Sequence, residues 1–152
     1  NWQRSTRNEK TFRLNERLSE KLASLNGPVT WLVITEPWCG DSAQSMAAIN
    51  AIAEASNGRI SLRIFYRDSD TSLIDEFLTN GGRSIPKLVQ MNRNNEVTGT
   101  WGPRPEAAQA LVTKLKSDPA TAGTYAEELH KWYAADHTAS IQEEIGLLLD
   151  LA

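Results

Sequence analysis

The run Val29-Thr30-Trp31-Leu32-Val33-Ile34-Thr35 limits the fold more than any other part of the chain. It is β-branched and aromatic and carries no charge, in a sequence that is 23% charged. Such a run reads as a strand buried on both faces, which belongs inside a sheet with other elements packed over it. Glu36-Pro37-Trp38-Cys39-Gly40 breaks the run at once, because proline and glycine end a strand there. From about Ser42 to Ala55, the apolar residues Met46, Ile49, Ile52 and Ala53 then fall on one side of a helix. Asn57-Gly58 ends it, with Gly58 suited to a left-handed cap.

The rest of the chain follows the same periodicities. Phe12, Leu14, Leu18, Leu22 and Leu25 predict one amphipathic helix over residues 7–25, stopped by Asn26-Gly27-Pro28. Ile60 to Tyr66 alternates apolar and polar residues and reads as a second strand. Leu73, Ile74, Phe77 and Leu78 mark a short helix ended by Asn80-Gly81-Gly82. Lys87 to Met91 suggests a third strand, Asn94-Asn95 a hairpin turn, and Val97 to Trp101 the antiparallel return. Pro105 suits the first turn of a helix through Leu111 and Leu115. After a small-residue linker over Ser117 to Gly123, Tyr125 to Leu151 reads as one long helix. Strands alternating with helices predict an α/β fold with a central mixed sheet, a three-layer α/β/α sandwich. The first three strands are expected to run parallel through crossover helices. One domain spans 1–152, with a core over about 29–116 and helical extensions over 7–25 and 124–151.

Composition removes several classes of function. With a net charge of −3 and no basic run, the chain has no general attraction to nucleic acid or to an anionic membrane, and neither is expected as a partner. No apolar stretch approaches the ~20 residues of a membrane span, and no signal-peptide pattern is present. The single cysteine rules out an intrachain disulfide and a cysteine-built metal site. It points to a reducing, cytoplasmic location, although the sequence starts at Asn1 and a removed leader would lie outside it.

The strand–turn–helix order gives that cysteine a special place. Cys39 sits beside the first free N–H groups of the following helix, where positive partial charge collects and supports a thiolate. Gly40 lets the chain turn closely, and Trp38 can lie over the approach to the sulfur. Trp38-Cys39-Gly40 after an apolar strand resembles the reactive-site turn of the thioredoxin-like superfamily. Gly82-Arg83-Ser84-Ile85-Pro86, followed by strand, Asn-containing turn and strand, is similar to that family's cis-proline segment. The two together cover about residues 29–116.

The resemblance implies a thioredoxin-like fold and a thiol–disulfide oxidoreductase with Cys39 as nucleophile. It implies a cis bond between Ile85 and Pro86, and a substrate groove shaped by Trp38, Gly40, Asp41, Ile85 and Pro86. Ser42 stands where the resolving cysteine would be, so only a monothiol route is open. Ser42 is expected to donate a hydrogen bond at the site, and an external thiol reductant must finish the reaction. Protein or small-molecule disulfides are the expected substrates, with no cofactor and no metal. A monothiol glutaredoxin shares Cys-x-x-Ser but places a Gly-Gly pair after its cis-proline. Here Gly81-Gly82 precede Pro86, which argues against glutathione or an iron–sulfur cluster.

Two further departures bear on the chemistry. Asp41 replaces the family's usual proline; its carboxylate favours the helix N-terminus but disfavours a neighbouring thiolate. Val33 stands where the family has a buried acid. The alternative is therefore a redox-inactive peptide-binding or chaperone-like module. His130 and His137 read as surface or groove histidines, and Asp68, Asp70 and Asp75 as a loop that needs no ion. Trp31 is expected in the core and Trp101 at a strand-to-helix bend. Tyr125, Trp132 and Tyr133 either pack the last helix onto the domain or serve a homodimer through that helix.

Overall fold

The uncharged run forms β1 (Val29–Thr35), which lies inside a sheet with β2 (Ile60–Tyr66), β3 (Lys87–Met91) and β4 (Val97–Trp101). The structure is a computed structural model and describes residues 2–152. The four strands have the bounds that patterning predicts, in the order β2-β1-β3-β4. β1 and β2 are parallel, with Val29 opposite Ile60. β3 runs antiparallel to β1, with Val33 opposite Leu88, and β4 runs antiparallel to β3. The expectation of three parallel strands is thus corrected. The segment after β2 carries two 3-10 turns, Arg67–Ser69 and Ile74–Glu76, in place of a crossover helix. It stays at the end of the sheet where β1 stops, so β3 starts there, with Lys87 opposite Ile34.

Among the described residues, six α-helices complete the fold: α1 (Trp2–Thr11), α2 (Glu16–Ala23), α3 (Gly40–Ala55), α4 (Glu106–Lys116), α5 (Tyr125–Asp136) and α6 (Ala139–Leu149). The single helix expected over 7–25 is two. Asn15 is extended and accepts a hydrogen bond from the Leu18 N–H at 2.8 Å, capping α2, while Phe12 and Leu14 still pack on the core. The long C-terminal helix is also two. His137 and Thr138 have φ of 50° and 64°, which a helix cannot include. Asp136 receives the Ser140 N–H at 3.1 Å and hydroxyl at 2.6 Å, which anchors the restart.

Val29, Trp31, Val33, Leu88 and Trp101 meet α2, α3 and α6 in the main core, where Leu18, Leu22, Ile49, Ile52 and Ile145 are buried. Each such side chain contributes about 1.5–3 kcal/mol by leaving water. Trp31 is fully buried, and its N–H donates to Gln90 Oε1 at 3.0 Å. Gln90 donates in turn to the Leu148 carbonyl at 2.8 Å, so the polar groups in the core bind one another and α6. Trp101 stands at the bend between β4 and α4, as expected, and is buried there, its N–H donating to Glu144 at 2.7 Å. A second cluster, Ile34, Cys39, Ile74 and Ile85, lies where β1 ends. The third joins α4 to α5 through Ala108, Val112 and Leu129, with Tyr125, Trp132 and Tyr133 packed against it. A mixed four-stranded sheet flanked by helices, with helical elements at both termini, is the observed architecture. Among the described residues, no helix is long and apolar enough to cross a membrane.

Candidate active site

Cys39 is the extended residue that opens α3, with φ −73° and ψ 124°. Its N–H donates to the Glu36 carbonyl at 3.2 Å, and its own carbonyl accepts from Ala43 at 3.1 Å. The helix starts at Gly40, two residues before the position its apolar pattern suggests. Gly40, Asp41 and Ser42 therefore form the first turn, whose N–H groups have no acceptor inside the helix. Cys39 is 8% exposed and packs with Ile34, Ile74 and Ile85. Its thiol donates to the Ile85 carbonyl at 3.5 Å.

The Ile85-Pro86 bond is cis, as the motif implied. Gly102, at φ 113°, backs against it so closely that a β-carbon would collide with the Pro86 carbonyl; only glycine fits there. The Gly102-Pro103 bond is cis as well, which the sequence did not suggest. Val33, at the family's acidic position, is fully buried in the apolar core.

Ser42 is buried beneath the turn, and its hydroxyl shares a hydrogen bond with the hydroxyl of Thr35. That contact ties the start of α3 to the end of β1. Trp38 is 60% exposed, and the Arg67 guanidinium lies 5.2 Å from its ring centroid. Arg67 is held by Asp68 at 2.9 Å and by the Arg83 carbonyl at 3.0 Å. Buried Glu36 accepts the Asp68 N–H at 2.8 Å, which fixes this loop against the turn.

Asp41 does not face the sulfur as an isolated charge. Arg104 binds it twice, Nη2 at 2.6 Å and Nε at 3.2 Å, and the Tyr133 hydroxyl donates to it at 3.0 Å. The ion pair is largely buried, at 15% and 13% side-chain exposure. Burial opposes the charge on Arg104, but Asp41 outweighs it and holds the guanidinium above its ordinary range. Burial pushes the Tyr133 phenol well above its ordinary value, and the Asp41 carboxylate adds to the effect. The charge that sequence set against the thiolate is thus compensated, by one residue before α4 and one from α5.

A groove of about 380 Å³ beside the sulfur is lined by Trp38, Cys39, Arg67, Ile85, Arg104 and Lys116, among others. On the other flank, a pocket of about 240 Å³ includes Gly40, Asp41, Arg104, His130 and Tyr133. Of the predicted site residues, Trp38, Cys39 and Ile85 thus share one groove, Gly40 and Asp41 face the other, and Ser42 lies below. Pro86 supports Ile85 through the cis bond. His130 and His137 line a further cavity. Among the described residues, no group of three or more His, Cys, Asp or Glu could hold a metal. Asp68 pairs with Arg67, Asp70 accepts from Ser72, and Asp75 pairs with Arg83, whose hydrogen bonds lower the Asp75 carboxyl below its ordinary range.

Sequence reasoning missed Arg67, Arg104, Lys116 and the polar role of Tyr133. Only Arg104 had a signal, being held between Pro103 and Pro105.

Solved structures agree with the fold. A 1.5 Å crystal structure of a protein of unknown function from Pseudomonas aeruginosa superposes with a TM-score of 0.74 at 17% identity, covering 98% of this chain and 83% of that one. An HIV epitope-scaffold superposes at 0.72 and 17% identity, covering 99% and 85%. No curated protein matches this sequence. The family model described as thioredoxin matches residues 1–116, so the matched region holds the Cys39 turn, the cis-proline segment and α4, and ends before α5. The chain belongs to the thioredoxin family.

Proposed function

We propose that the protein is a monothiol thiol–disulfide oxidoreductase. The observation that carries this is the seating of Cys39: it opens α3 at the free N–H groups of the first turn, with its sulfur against the Ile85 carbonyl beside an open groove. The helix N-terminus stabilises negative charge on that sulfur. Ser42 has its hydroxyl on Thr35, so its part is to hold the turn.

The Cys39 thiolate attacks one sulfur of a substrate disulfide. A bond forms between Cys39 and that sulfur, the substrate S–S bond breaks, and the second sulfur leaves as a thiolate that takes up a proton. With one cysteine in the chain, an external small thiol then attacks the mixed disulfide. It forms a new disulfide with the substrate sulfur and returns Cys39 as a thiolate. The test is insulin reduction in the presence of a small thiol. Turnover above the small-thiol background that vanishes in Cys39→Ala is expected; turnover that survives the substitution sinks the reading.

One observation favours a second reading, a redox-inactive peptide-binding module. The Cys39 thiol is nearly buried and already has an acceptor in Ile85. A protein that binds extended peptides equally well with Cys39 and with Cys39→Ala, and forms no mixed disulfide, would be this module.

A further inference from the structure

We propose that the groove beside Cys39 selects disulfides that carry carboxylates close to the attacked sulfur. The inference rests on the thiol–disulfide reading and names the substrate class of that same site. The chain as a whole is acidic, with a net charge of −3, yet the groove lining holds Arg67, Arg104 and Lys116 and no acidic side chain. The remaining polar lining residues, among them Ser84, Gln109 and Thr113, are neutral.

The acids that pair with the two arginines lie outside this lining. Asp68 binds Arg67 from the adjoining loop, and Asp41 binds Arg104 from the flank that faces the other pocket. Lys116 forms no ion pair among the described residues; its ammonium lies 4.3 Å from the Tyr125 ring centroid, which orients the charge without neutralising it. Trp38, largely exposed, adds an apolar ring to the same lining, with the Arg67 guanidinium against it. A groove lined by one sign of charge concentrates ligands of the other sign, by roughly 10- to 1000-fold in rate. The shared chemistry is an anionic disulfide, supplied either by an acidic polypeptide segment or by a small carboxylated molecule.

The step is the same exchange: the Cys39 sulfur bonds the nearer sulfur, and the other leaves as a thiolate. The carboxylates are bound and undergo no reaction. Mixed-disulfide formation on the full chain would be timed with dithionitrobenzoate (anionic), dithiodipyridine (neutral) and cystamine (cationic). Each rate is divided by that of mercaptoethanol with the same reagent. The expected order is anionic, neutral, cationic, with an anionic-to-cationic ratio of about tenfold or more at low salt that shrinks as salt is added. Lys116→Glu lowers the ratio severalfold and Lys116→Gln lowers it less, with melting temperatures confirming that both variants fold. Glu-flanked and Lys-flanked peptide disulfides identify the source: the same order among them assigns the groove to acidic polypeptides. An order confined to the small reagents assigns it to small carboxylated disulfides. Equal normalised rates, a preference for cystamine, or a ratio unmoved by Lys116→Glu overturns the inference. No reaction with any disulfide overturns the parent reading together with it.

Discussion

The two flanks of the Cys39 turn are built in different ways. Toward Ile85 the surroundings are apolar, with Ile34 and Ile74 against the sulfur and one weak S–H···O contact. Toward α5 they are charged, with Asp41 receiving three hydrogen bonds from Arg104 and Tyr133. The first flank lies within the region matched by the family model, residues 1–116. The second lies there for the most part too, since Asp41 and Arg104 both fall within it, and only the Tyr133 hydroxyl comes from α5, which follows that region. One side of the turn can therefore keep an apolar seat while two residues distant in sequence, Arg104 and Tyr133, answer the charge on the other. Asp41 in place of proline makes sense only with Arg104 present to answer it.

The largest effect should come from removing that answer. Arg104→Gln leaves the Asp41 carboxylate largely buried with Tyr133 as its remaining side-chain partner, and should cost about 3 kcal/mol in urea unfolding. Adding Asp41→Asn should recover much of the loss, since the two sites share one network. Full additivity of the two losses would break the comparison. Tyr133→Phe removes one hydrogen bond to a charged group and should cost about 1.5 kcal/mol.

The same residue sets a pH dependence. Its phenol ionises well above the ordinary value in the folded chain, so the folded state keeps a proton that the unfolded state releases near pH 10. That contribution is complete below about pH 10 and is lost as pH rises above it. Tyr133→Phe should flatten the decline of stability on the alkaline side, and an unchanged decline would count against the assignment. Ser42→Ala removes the partner of Thr35 beneath the turn and should cost about 1 kcal/mol. Trp38→Ala sharpens the contrast from the open side. Its ring is mostly exposed, so stability should move by less than about 0.5 kcal/mol while peptide binding weakens.

The strands were legible because burial writes itself into composition: Val29–Thr35 carries no charge and is mostly apolar, and its residues Val29, Trp31 and Val33 are buried in the core. Strand direction was not, because periodicity carries no sign; only the short turns of 67–86 decide that β3 starts beside the end of β1. The break between α5 and α6 was hidden as well. His137 and Thr138 are ordinary helix residues, and they leave the helix through φ values that no local sequence rule demands. At the site, Trp38, Cys39 and Ile85 were readable from two motifs in order. Tyr133 was read as either packing the last helix onto the domain or serving a homodimer, and it packs against the cluster that joins α4 to α5. Its hydroxyl bond to Asp41, 92 residues away, depends on where α5 docks, which chain-local reasoning does not reach.

The most direct test of the site is intact-mass analysis of the protein with a peptide disulfide, before and after addition of a small thiol. One adduct per chain, at Cys39, should form faster than on an unstructured cysteine peptide and should be released as Cys39 thiol when the small thiol is added. An adduct that forms no faster than on the peptide, or that the added thiol fails to release, would contradict a reactive monothiol at the start of α3.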